Sequence, residues 1–171
     1  MKDRADLKEI GFTGFISVQD LFESNLAVVP REPGVYAFLR EDESSPQFLE
    51  ISSGGHFKDK NPTVDLETLE DNWVPGTAIV YIGKAGQQGR PPTLKTRLRQ
   101  YLDFGRGKPV GHWGGRYIWQ LKNSGELIVC WKVIEDQDPE IVERELITAF
   151  RKTHDRLPFA NLTKGTKRAS L

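Results

Sequence analysis

The sequence predicts an α/β fold: a small three-stranded sheet flanked by helices, in a single domain spanning 1–171. Three observations support this. Gly34 to Arg40, Ala78 to Ile82 and Leu127 to Ile134 are short runs dense in β-branched and aromatic residues, the composition of strands. Residues 94–102 and the stretch after Pro139 instead repeat apolar side chains at helical spacing. No apolar run reaches membrane-spanning length, and 37% hydrophobic with 28% charged residues is the balance of a chain that builds a core in water.

Residues 1–33 read as an N-terminal accessory segment. The opening MKDRADLKEI is charged where a signal peptide is apolar, and Cys130 is the single cysteine. Both fit a cytoplasmic chain without a disulfide framework. Ser17-Val18-Gln19-Asp20 has the form of a capping box with Asp in place of Glu, opening a short helix through Leu21 and Phe22. In the first core strand, alternation puts Tyr36 and Phe38 on one face and Val35 and Ala37 on the other. Residues 41–77 form an insert. Phe48 to Ile51 suggests an extra strand, Gly54-Gly55 and Asn61-Pro62 mark turns, and Leu66, Leu69 and Trp73 fall at helical spacing. A structureless loop of that length is out of keeping with a compact domain, so the insert is expected to be ordered, with those three side chains buried.

The second strand ends at Gly83, and Pro91-Pro92 forbids helix before Thr93, a good N-cap. Leu94, Leu98, Tyr101 and Leu102 then share a helix face, and Arg97 lies four residues before Tyr101. Residues 84–116 hold eight of the 24 bases and a single acid, Asp103, although the whole chain has zero net charge. A basic patch on an acidic body suits a polyanion, with Lys84, Arg90, Lys95, Arg99, Arg106, Lys108, Arg116 and the loop residue His112 as candidate phosphate contacts. A solvated basic helix gives the same pattern. Trp113, Tyr117 and Trp119 suit base stacking or a core, and 113–121 reads equally as helix or strand. Leu127 to Ile134, nearly all apolar, is expected at the sheet centre. Asp138-Pro139 then caps and starts a helix carrying Ile141, Val142, Leu146, Ile147, Ala149 and Phe150, with Glu143 at the border of that face. The histidines at 56, 112 and 154 lack metal-site spacing. The tail, 162–171, is expected to be mobile.

PGVYAF at 33–38, then VYIGKA and LKTRLRQYL, together resemble the signature of the GIY-YIG nucleases. The two named tripeptides are here Gly34-Val35-Tyr36 and Tyr81-Ile82-Gly83. Glu143 with Leu146-Ile147 resembles the family's Glu-x-x-Leu-Ile element, and Pro158 to Asn161 its closing Pro-x-x-Asn. The connection between the tripeptides and the spacing to Asn161 are both longer than the family's. The resemblance implies a mainly antiparallel sheet and an endonuclease that hydrolyses phosphodiester bonds in DNA with Mg2+ or Mn2+. It also implies catalytic roles for Tyr36, Tyr81, Arg97 and Glu143. Glu143 takes the metal, with Glu145 as the fallback ligand, and Lys84, Tyr101 and Asn161 support. Tyr81 is the expected base, Tyr36 orients the nucleophile, and Lys84 is expected to lower the Tyr81 pKa. Two other readings are a nucleic-acid-binding module without cleavage and a protein-interaction domain on the same scaffold.

Overall fold

The computed structural model describes residues 1–86 and 92–162. Arg90 and residues 163–171 of the expected tail lie outside the described residues. In chain order the regular elements are α1 (Arg4–Glu9), β1 (Thr13–Ser17), α2 (Val18–Glu23), β2 (Gly34–Leu39), α3 (Leu66–Asn72), β3 (Ile79–Ala85), α4 (Leu94–Gly105), β4 (Ile128–Val133) and α5 (Pro139–His154). Short 3-10 helices at Arg116–Gln120 and Ser124–Glu126 join α4 to β4. No helix among the described residues is long and apolar enough to cross a membrane.

The described sheet has four strands, not three, in the order β1-β4-β2-β3, and every neighbouring pair is antiparallel. The additional strand comes from the accessory segment. β1 pairs with β4 from Thr13↔Trp131 to Ser17↔Ile128, with a bulge between Gly14 and Ile16 where Phe15 has φ 57°. A bulge breaks the two-residue period, which is why alternation gives no sign of this strand. The expected capping box is present: the Ser17 hydroxyl accepts from the Asp20 amide at 3.0 Å and opens α2.

The sheet buries both faces. Tyr36, Phe38, Val129 and Trp131 pack against α4 through Leu94, Leu98, Tyr101, Leu102 and Phe104. Val35, Ala37, Ile82 and Cys130 pack instead with Val142, Ile147 and Phe150 of α5 and Leu7 of α1. The alternation expected for β2 therefore sorts its side chains between two helical layers. β3 forms one edge of the sheet and β1 the other.

The insert is held by a buried glutamine rather than by strand pairing. Phe48 to Ile51 is not a strand; it makes one bridge, Phe48↔Leu121, and lies along the 3-10 helix. Gln120, fully buried, accepts from the Val64 amide at 2.8 Å and donates to the carbonyls of Leu49 (3.0 Å) and Val64 (2.7 Å). Extended backbone with no sheet to join must find its partners elsewhere, and one carboxamide supplies three. α3 buries Leu69, and Trp73 packs on Phe159 with ring centroids 5.2 Å apart. Leu66, expected to be buried, is 40% exposed. It opens the helix, a turn away from the seam that Leu69 fills.

Candidate active site

The two glycines of the sequence motifs are places where a side chain has no room. A Cβ on Gly34 would stand 2.2 Å from the Lys132 carbonyl oxygen, and one on Gly83 would stand 2.6 Å from Tyr36 Cζ. Gly83 is the cross-strand partner of Tyr36, so the tyrosine ring lies over the backbone of the edge strand. Gly83→Ala should force that ring aside and cost about 1–3 kcal/mol, as overpacked interiors do. Urea unfolding measures the loss; an unchanged midpoint would mean that the ring yields freely.

Tyr36, Tyr81 and Tyr101 form a buried cluster on the α4 side. Ring centroids are 6.1 Å apart for Tyr36–Tyr81, 6.5 Å for Tyr36–Tyr101 and 5.4 Å for Tyr81–Tyr101. The backbone between α4 and the first 3-10 helix passes across them. The Tyr101 hydroxyl donates to the Gly115 carbonyl at 2.6 Å, and that of Tyr81 donates to Gly114 at 3.4 Å. His112, also buried, stacks on Tyr101 with centroids 4.1 Å apart. Its Nε2 lies 3.4 Å from the Tyr36 hydroxyl and its Nδ1 3.2 Å from the Gly114 carbonyl.

Electrostatics link this cluster to residues from both faces. Burial pushes the Tyr36 pKa up to about 12, while the Arg97 charge draws it down and Glu143 raises it. Tyr81 is held well above the usual phenol value by burial, then by Tyr36 and Glu143, against the Arg97 charge. Tyr101 is raised by burial as well. Arg97 and Glu143 thus act on the same two tyrosines, although α4 and α5 lie on opposite faces. They make no ion pair with each other.

Lys84 faces Glu140, with its Nζ 2.7 Å from Oε2, and the charge that draws the Tyr81 pKa down is that of Arg97. Asn161 reaches β3 with both ends of its carboxamide. Its Oδ1 accepts from the Ile82 amide at 3.0 Å and its Nδ2 donates to the Ile82 carbonyl at 2.8 Å. It thereby fixes the backbone between Tyr81 and Gly83.

The basic candidates are more engaged locally than their sequence density suggests. Arg99 donates to the side chain and carbonyl of Asn25, at 2.8 and 3.1 Å. Arg106 lies over the Phe22 ring at 3.4 Å, Lys108 pairs with Asp103 at 2.9 Å, and Arg116 covers Trp113 at 4.7 Å. Lys95 is partly exposed on the first turn of α4. His112 is sealed under the loop, so a direct phosphate contact is closed to it.

Glu143 is partly buried on α5, whereas Glu145, two residues on, is exposed. Burial, opposed by Lys84 and Arg97, pushes the Glu143 pKa up to about 7 from 4.5. The folded value exceeds the unfolded one, so the contribution of Glu143 to stability is present below pH 4.5 and is lost as pH rises to 7. Glu143→Gln in chelator should therefore melt with the native chain near pH 4 and above it near pH 8. Equal melting at the higher pH would mean that the carboxylate is not strained by burial.

A carboxylate kept protonated by its surroundings is one that a cation would stabilise. The donor chemistry fits Mg2+, which binds through one or two carboxylates and completes its shell with water. Glu143 would be the oxygen donor, with Glu140 one turn before it on α5. Among the described residues no three His, Cys, Asp or Glu side chains gather into a group suited to a metal. No protein-family model, curated protein or solved structure matches the chain.

Proposed function

We propose that this chain is a GIY-YIG-type endonuclease that hydrolyses phosphodiester bonds in DNA with Mg2+ or Mn2+. The observation that carries this reading is that the charges of Arg97 and Glu143 both act on Tyr36 and Tyr81, which couples β2 to three other elements. Phosphodiester hydrolysis needs a held water, a counter-charge for the five-coordinate phosphorus, and relief for the departing 3′ oxygen. Arg97 offers a planar, permanently charged fork suited to phosphate oxygens. A divalent ion on Glu143 would supply Lewis-acid stabilisation to the leaving oxygen. Tyr36 and Tyr81 remain phenols at neutral pH because burial disfavours their anions. Their part is to hold the attacking water by hydrogen bonds; a neutral phenol takes the water's proton only as it passes its own to a phosphate oxygen in the same step. Lys95, Arg99, Arg106, Lys108 and Arg116 would meet the flanking phosphates, some by exchanging present partners for the polyanion.

The burial of all three tyrosines under the 112–115 backbone favours a second reading, a module that binds nucleic acid without cutting it. Linear, nicked, branched and single-stranded DNA with Mg2+, Mn2+ or chelator separates the readings. Metal-dependent cutting of any substrate supports the nuclease. Binding that falls with salt by a log–log slope of about −0.9 per duplex phosphate neutralised, without cutting, supports the module. No binding at low salt leaves the interaction domain.

A further inference from the structure

The hydrogen atoms of the tyrosine cluster can be assigned from their partners. The Tyr36 hydroxyl oxygen lies 3.4 Å from His112 Nε2. That length is common in catalytic pairs before substrate tightens them. His112 Nδ1 faces the Gly114 carbonyl, which only accepts, so Nδ1 carries the ring proton. Burial and the Arg97 charge keep the ring neutral, with its pKa lowered to about 3. Nε2 is therefore bare and available to the Tyr36 hydroxyl.

The polarity matters for an attacking water. Such a water must give its protons to acceptors while its own lone pair faces phosphorus. A hydroxyl free to rotate would spend part of its time as a donor and turn the water the wrong way. We infer that His112 is a positioning residue that accepts the Tyr36 hydroxyl hydrogen bond on Nε2 and so leaves the Tyr36 oxygen's lone pairs free as an acceptor for the attacking water. This rests on the hydrolytic reading above. The loop supports the arrangement: the His112 amide donates to Val110 at 2.9 Å, and Gly111 lies against Phe57 with no room to spare.

Two measurements test the inference, the first without catalysis. Two-dimensional NMR of 15N-histidine protein should show the His112 ring neutral, protonated on Nδ1 and bare on Nε2 at neutral pH. A proton on Nε2, or a charged ring, overturns the inference. The second is a double-mutant cycle in single-turnover cleavage. His112→Ala should slow cutting roughly 10- to 100-fold, the range expected when a buried hydrogen-bond partner is removed. His112→Gln places an acceptor oxygen near the Nε2 position and should recover most of that loss, which also covers an alanine variant that folds poorly. In the Tyr36→Phe background both histidine changes should add almost nothing. Full additivity there overturns the inference while the nuclease reading stands. A native chain that cuts no substrate removes the nuclease reading, and His112's purpose with it, whatever the tautomer.

Discussion

Arg97→Ala should lower the single-turnover rate of DNA cleavage about 10²–10³-fold, the usual effect of removing a preorganised electrostatic donor. Arg97 is partly buried on α4, and its one side-chain hydrogen bond among the described residues is to Gln100, at 3.5 Å. No described acid forms an ion pair with it, so its charge is available to an incoming phosphate. Its field already reaches Tyr36, Tyr81, Tyr101, His112 and Glu143. Arg97→Lys keeps the charge but loses the fork and should recover only part of the rate. DNA affinity should weaken in both variants. Native cleavage by the alanine variant at saturating DNA would remove Arg97 from the chemistry.

Tyr81→Phe should bind DNA as the native chain does and cut it roughly 10²–10⁴-fold more slowly, the range for a group that takes part in proton transfer. The ring stays packed among Tyr36, Phe38 and Tyr101, and only the hydroxyl goes. That hydroxyl's 3.4 Å bond to Gly114 is long, so the fold should lose little stability with it. Tyr36→Phe should cost less if Tyr36 only holds the water. Single-turnover conditions keep product release out of the comparison. Should Tyr81→Phe cut at the native rate while Glu143→Gln is inert, the metal reading survives and the tyrosine one does not.

What could be read from the sequence follows from which signals are periodic. β2, β3 and β4 were legible because apolar residues run without interruption, and α4 and α5 because Thr93 and Asp138 cap them at the expected places. β1 was hidden by Gly11, Gly14 and the bulge at Phe15, which leave no alternation to count. Phe48 to Ile51 has strand composition but lies against the 3-10 helix and not beside a strand, so composition alone misled. Leu66 shares its spacing with Leu69 but not its burial, since spacing fixes a direction and not a neighbour. The site divides in the same way. Tyr36, Tyr81 and Glu143 stood out through motifs, and Gly34 and Gly83 have a steric reason visible only once β4 and the Tyr36 ring are in place. His112 gave no such signal: nothing in a glycine-rich loop shows that its ring will be buried on Tyr101. Lys84 was expected to act on Tyr81 from three residues away, but in a strand its side chain emerges on the opposite face, where Glu140 meets it.

The carboxamide of Asn161 has the same donor and acceptor as a peptide unit, and it meets Ile82 as the next strand of a sheet would. Beside it, the Ala160 amide donates to the Val80 carbonyl at 2.9 Å. An unpaired sheet border invites a second chain to add itself, the first step of many aggregates. Here the border bearing Tyr81 is already occupied, by a turn too short to offer a fresh row of its own. The molecule can thus keep its tyrosine cluster beside its outermost strand without leaving that strand open to extension.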